Sequence, residues 1–173
     1  EGKEFKVGLI TGGAAGSLID GALAQADAVF MRTPFQSDKD MRNSINSGKV
    51  AYFDLHLSHI GQDVRYGFLP KIDVAIIEAS DITAEGEITL STSVGISPTL
   101  VQQADRVIVE LNRVHKSKLK GMHDIFLLDN PPYRKEIPIY RVNDRVGSYT
   151  LKVDPKKIVA VVESEVKDRI APF

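Results

Sequence analysis

Residues 5–28 read FKVGLITGGAAGSLIDGALAQADA. Phe5–Thr11 is a short apolar run rich in β-formers, and Gly12, Gly13 and Gly16 break it. Apolar residues then recur at helical spacing through Leu18, Ile19, Ala22, Leu23 and Ala26. A buried strand, a glycine turn and a helix, in that order, make the opening of a strand–helix–strand unit. Ser17, with Asp20 three residues on, has the pattern of a capping box at the start of the helix. Ala28–Met31 is the next strand candidate.

The alternation continues outward from this stretch. Ser37–Ser47 predicts a second helix, with Ser37 as N-cap, Met41 and Ile45 facing inward and Gly48 as the stop. Leu55–Tyr66 carries Leu57, Ile60 and Val64 at helical spacing, ended by Gly67 and Pro70. Ile72–Ala79 (IDVAIIEA) is nearly all apolar, the pattern of a strand buried on both faces. Glu87–Leu90 reads as a hairpin strand or a loop excursion, Thr99–Ala104 as a short helix, and Arg106–Leu111 (RVIVEL) and Lys157–Glu163 (KIVAVVE) as further strands. Arg113–Pro138 is rich in loop signals. The expected fold is α/β, a mainly parallel open sheet with flanking helices, in a single domain over residues 1–173.

Composition narrows the function classes. The 173 residues hold 22 basic and 23 acidic side chains, a net charge of −1, so no broad positive field favours nucleic acid or an anionic membrane. With no cysteine there is no disulfide framework, thiolate nucleophile or thiolate metal site. No apolar run reaches the roughly 20 residues of a membrane span, and no signal-peptide pattern opens the chain. The expectation is a soluble, intracellular globular unit.

Four groups of residues are candidates for chemistry. The loop Gly12, Gly13, Ala14, Ala15 and Gly16 lets backbone N–H groups approach a ligand, and a helix start behind it favours an anion such as phosphate or carboxylate. The same spacing suits a tight turn with no ligand. A nicotinamide dinucleotide fits poorly: the glycines read GGxxG rather than GxGxxG, and the second strand ends at Arg32 where an acidic residue would hold the ribose. His56 and His59, near Asp54, would share a helix face but have no third ligand for zinc, and His123–Asp124 reads as an oriented imidazole or a loop hydrogen bond. Ser93, Val94 and Gly95, within the small-residue stretch 91–98, either line a site beyond a strand's carboxyl end or precede a helix that the hydroxyls cap. The charged tail Lys167-Asp168-Arg169 reads, by itself, as a solvated surface.

Taken together, several stretches resemble one family. They are LITGGAAGSLIDGALAQADAVFMRTPFQSD (9–38), YFDLHLSHIGQDVRYGFLPKIDVAIIEASDITAEGEITLSTSVGISP (52–98), ADRVIVELN (104–112), GMHDI (121–125), DRVG (144–147), VDPKKIVAVVES (153–164) and DRIAPF (168–173). The pattern is similar to the acetyl-CoA hydrolase/transferase branch of the class I coenzyme A transferases, in particular succinyl-CoA:acetate CoA-transferases. The resemblance implies a two-domain enzyme that moves CoA between short-chain carboxylates. A glutamate forms a glutamyl-CoA thioester, covalent catalysis that splits one difficult step into easier ones.

What the resemblance implies for these residues is specific. The segment that carries the family's glutamate has no counterpart here, so the nucleophile is expected outside the chain, in a C-terminal domain. Glu78, Glu85 and Glu110 are not put in its place, Glu78 at the end of a buried strand being the one alternative within the chain. The chain is then most of an N-terminal domain, without the family's first strand and inactive alone. Gly12, Gly13, Ala14 and Gly16 match one cleft-side loop of the family, and Ser93, Val94 and Gly95 a second. Arg169 matches an arginine near the active site, where a fixed cation would hold a carboxylate, the alternative being a free surface arginine. The implied substrates are an acyl-CoA thioester and a short-chain carboxylate, with no permanently bound cofactor and no metal. The intact enzyme is expected to be a cytoplasmic homodimer, or mitochondrial in a eukaryote. The other reading is a stand-alone module that binds CoA, phosphate or carboxylate without catalysis.

Overall fold

The computed structural model describes residues 5–168. They fall into two compact units, Glu1–Asp63 and Val64–Phe173, each built around its own sheet.

In the first unit, β1 (Val7–Ile10), β2 (Val29–Thr33) and β3 (Ala51–Tyr52) form a parallel sheet in sequence order. Val29, Met41 and Val50 are its buried core, with Val7, Leu9, Leu23, Ala24 and Ile45 packed against them. The β1–β2 connection is a π-helical turn over Ser17–Gly21 that runs into a short α1 (Ala22–Gln25), not one amphipathic helix. The wider π turn shifts the inward face by a residue. Asp20 and Gly21 are therefore buried, while Leu18 and Ile19 remain 57% and 47% exposed. Asp20 makes no capping box, because its carboxylate is taken by Arg32 and by the Ala15 N–H. α2 (Lys39–Asn46) is capped by Asp38 rather than Ser37: Asp38 Oδ1 accepts from the Asp40 and Met41 N–H groups at 2.9 and 3.0 Å. Gly48, at φ +77°, ends this helix as expected.

The division between the units falls within α3 (Ile60–Arg65), which is shorter than the spacing over 55–66 suggests. In the second unit, β4 (Val74–Ile82), β6 (Arg106–Asn112) and β8 (Ile158–Ser164) run parallel, while β5 (Glu87–Leu90) and β7 (Leu151–Lys152) are antiparallel additions. The order is β7-β5-β4-β6-β8. The β4–β5 connection is a hairpin whose Gly86 lies at φ +78°. One face carries Ala75, Ile77, Ala79, Val107 and Val109, covered by α4 (Ser97–Gln103) through Val101, by Ala104 just past it, and by Ile125 and Val153. β4 is not buried on both faces. Val74 and Ile76 on its other face are 43% and 66% exposed, so the apolar run marks a strand with one covered side. No helix among the described residues is long and apolar enough to cross a membrane.

Candidate functional site

In the first unit the glycine loop is held from beneath by a buried ion pair. Arg32 and Asp20 are both fully buried; Nε donates to Asp20 Oδ1 at 2.9 Å and Nη2 to Oδ2 at 3.3 Å. The fork then continues into the loop, since Nη2 also donates to the Gly13 carbonyl at 3.0 Å and Nη1 donates to the Thr33 carbonyl. Asp20 Oδ2 accepts from the Ala15 N–H at 2.7 Å, and the Thr11 hydroxyl donates to the Gly13 carbonyl. A planar guanidinium satisfies several acceptors in fixed directions, which is why arginine and not lysine suits this position. Gly16 sits at φ +75° with open space where a side chain would be. The loop therefore has a set shape, with Ala15 N–H turned inward and Gly12 and Ala14 exposed. Two strands away, the buried part of Tyr52 has its phenol raised above the ordinary value by burial and by the Asp54 carboxylate; its Oη donates to the Pro34 carbonyl at 3.1 Å.

In the second unit a polar cluster lies toward the carboxyl ends of the parallel strands, where open α/β sheets place ligands. Glu78 on β4 shares a face with Val74 and Ile76. Asn112, the last residue of β6, shares that face across the ladder through the pairing of Glu78 with Glu110. Glu78 Oε1 accepts from Asn112 Nδ2 at 2.6 Å and Oε2 from the buried Ser91 hydroxyl at 2.9 Å. Asn112 is 1% exposed and fully engaged: Nδ2 also donates to the Val166 carbonyl at 2.6 Å, and Oδ1 accepts from the Val114 N–H at 3.1 Å. His115 Nε2 lies 3.2 Å from Asp168 Oδ1 and 4.0 Å from Glu78 Oε1. Ser164, opposite Asn112, keeps its hydroxyl buried without a hydrogen-bond partner among the described residues.

Glu78, His115 and Asp168 are the one group among the described residues whose ligand-type atoms converge, within 4.8 Å. Hydrogen bonds from Ser91 and Asn112 and the His115–Asp168 contact already satisfy these atoms. Their chemistry as they stand is to hold a segment in place.

The residues singled out in the sequence fare differently. Gly13 and Gly16 lie in the stitched loop. Ser93 and Gly95 are exposed after β5, and Val94 packs on the core of the second unit. No hydroxyl caps α4, whose N-cap is Ile96 with Pro98 in its first turn. His56 and His59 stand before α3 rather than on it, exposed, their rings 5.5 Å apart. His123 contacts the Leu90 carbonyl at 3.2 Å, and Asp124 accepts from the Val146 and Gly147 N–H groups, so both serve the loop. Arg169 lies outside the described residues. Ser91, the first residue of the small-residue stretch, does meet Glu78, whereas Arg32, Asn112 and His115 were not visible as site residues. The available signal was phase, since Glu78 and Asn112 are polar residues in step with the apolar ones on their strands.

Each unit by itself is an α/β sheet with polar anchors toward the carboxyl ends of its strands, the end at which such sheets present loops. The sequence profile of the acetyl-CoA hydrolase/transferase N-terminal domain matches residues 1–163, and the chain belongs to that family. It is 45% identical over 99% of its length to the succinyl-CoA:acetate CoA-transferase of Clostridium kluyveri and 42% identical over 96% to the propanoyl-CoA:succinate CoA transferase of Escherichia coli. It is 38% identical over 98% to the acetyl-CoA hydrolase of Saccharomyces cerevisiae. It spans 32%, 34% and 33% of those three proteins, about a third of each. Among solved structures, RipA from Yersinia pestis matches with a TM-score of 0.51 over 87% of this chain and 30% of that one, at 16% identity. An E249D mutant of RipA matches with a TM-score of 0.56 over 92% and 32%, at 15% identity. These likenesses concern the fold.

Proposed function

We propose that the chain supplies the N-terminal part of an enzyme that moves CoA between short-chain carboxylates. The observation that carries this is the 45% identity to a succinyl-CoA:acetate CoA-transferase over 99% of the chain. The nucleophile is a glutamate outside these residues. Its carboxylate attacks the thioester carbonyl and expels CoA thiolate, giving a mixed anhydride. The thiolate then attacks the glutamyl carbonyl, releasing the first carboxylate and leaving a glutamyl-CoA thioester. The acceptor carboxylate reverses these steps. Arg169 is the cation in this chain that holds a carboxylate for that exchange, a role that a forked guanidinium fits.

The test uses the whole polypeptide that contains this chain. With succinyl-CoA and acetate it should show ping-pong kinetics. With acyl-CoA alone it should gain the mass of CoA less one water. Sequential kinetics without that adduct would overturn the glutamyl-CoA route. Arg169→Ala should lower kcat/KM by about a hundredfold or more, the scale of a lost positioning contact; an unchanged value removes the assignment. Calorimetry separates the binding-module reading, because tight CoA binding by residues 1–173 alone would favour it.

A further inference from the structure

We propose that the open face of the second unit's sheet is covered, in the whole polypeptide, by an amphipathic helix from outside residues 1–173 that sets a lysine or arginine against Glu110. The strand pairings define this face. Ile76 on β4 lies beside Ile108 on β6 and Ala160 on β8, and Glu78 lies beside Glu110 and Val162. Val74 and Arg106 stand toward the amino end of the strands, Asn112 and Ser164 toward the carboxyl end. Ile76, Ile108, Ala160 and Val162 thus form one apolar patch across three parallel strands. Ile76 and Val162 are more than half exposed, whereas the opposite face is packed against Val101 of α4, Ala104, Ile125 and Val153.

Parallel strands are ordinarily buried on both faces, and the cover is a helix, which satisfies its own backbone hydrogen bonds and offers the sheet a stripe of side chains. Among the described residues of the second unit, α4 already serves the other face. The chain spans about a third of the relatives it matches, so most of such a polypeptide lies outside residues 1–173 and supplies the helix. The charges on the face define what that helix carries. Glu78 and Glu110 stand opposite each other on adjacent strands, and Ser91 and Asn112 engage Glu78. The Glu110 side chain is partly buried and has no hydrogen bond or ion pair among the described residues. An apolar cover alone would strand this carboxylate away from water. A cation at that point of the helix pairs with it and offsets its repulsion from Glu78.

The experiment is hydroxyl-radical footprinting of the unmodified whole polypeptide, read residue by residue by mass spectrometry. Ile76 and Val162 should react about tenfold more slowly in the native protein than in urea, and dilution by about a hundredfold should leave that protection unchanged. Glu110→Lys, which sets like charges face to face, should raise the native reactivity of both residues about fivefold; Glu110→Gln should change it by less than about twofold. A cross-link then identifies the cover. With p-benzoylphenylalanine in place of Val162, and heavy- and light-nitrogen copies mixed, irradiation should join that position to a peptide outside residues 1–173 of the same copy. That peptide should hold a lysine or arginine within an apolar pattern of helical spacing.

Native reactivity within about twofold of the urea value would leave the face bare and overturn the proposal. Protection that disappears on dilution, or a cross-link between copies, would overturn it by giving the face to a second molecule. A cross-link to residues 1–173 of the same copy would overturn it as well. Equal reactivity in Glu110→Lys and Glu110→Gln would remove the cation from the cover. Should the photoreactive variant not fold, footprinting of the unmodified protein and of the Glu110 pair decides. None of these readouts involves turnover, so the cover and the CoA-transfer reading fail independently.

Discussion

The two units anchor their polar features by opposite means. In the first, a fully buried arginine and aspartate clamp a glycine loop. In the second, Glu78, Asn112 and Ser91 use a carboxylate, an amide and a hydroxyl, and the carboxylate and its His115 and Asp168 neighbours stay in partial contact with water. A buried ion pair has no tolerance for a missing partner, because the surviving charge is stranded in a low-dielectric site. A network open to water is forgiving, because solvent replaces a lost donor. The first arrangement therefore encodes rigidity, and the second encodes placement of a segment that would otherwise be solvated.

The largest effect that would sharpen this contrast is expected from Arg32→Ala. It leaves Asp20 buried and unpaired and should cost about 3–5 kcal/mol in urea unfolding of the first unit. Adding Asp20→Ala should restore part of that loss, and a double variant as unstable as both losses summed would break the argument. Gly86→Ala comes next. A Cβ there would sit 2.1 Å from the Val153 carbonyl oxygen at φ +78°, so a loss of about 2–3 kcal/mol is expected, the upper range for forced backbone strain. Gly16→Ala, at nearly the same φ but facing open space, should lose only about 1 kcal/mol. Equal losses at the two glycines would show that the hairpin gives way where the loop does not.

Smaller still is Glu78→Gln. The amide offers one acceptor oxygen to the two donors of Ser91 and Asn112, and partial exposure keeps the expected loss near 1 kcal/mol by chemical denaturation. A loss as large as that of Arg32→Ala would mean the second cluster is not the tolerant one.

The smallest effect is expected from surface pairs. The side-chain hydrogen bond and the charge of Arg113 lower the Glu163 carboxyl below its ordinary value, as Lys71 does for Asp105. The folded pKa lies below the unfolded one. This contribution is therefore present above the ordinary carboxylate range, about pH 4, and is lost as pH falls through the lowered values. A melting curve against pH should show a shallow acid decline that 1 M salt largely abolishes. A decline indifferent to salt would place its cause in the interior.

The strands were legible because apolar β-forming runs announce them: VGLI, VAIIEA, RVIVEL and IVAVVE all lie in the sheets. Their division between two sheets was not, since it depends on pairings such as Glu78 with Glu110 that no local pattern encodes. The one helix expected over 17–28 failed for a local reason. Asp20 sits out of phase with the apolar stripe, and in the π turn it is buried against Arg32. The glycine loop was visible, but its clamp was not, because Arg32 reads only as a charge at a strand end until the partner twelve residues earlier is known. The same holds for His115 and Asp168, which lie 53 residues apart.

The strand order also sets a clock. β4 is bonded along both edges, by β5 and β6, whereas β8 lies at the rim with β6 as its neighbour among the described residues. Amide deuterium should enter the rim strands, β8 and the two-residue β7, first and β4 last, so a mass spectrum taken over time would order the ladder from rim to middle without any substitution.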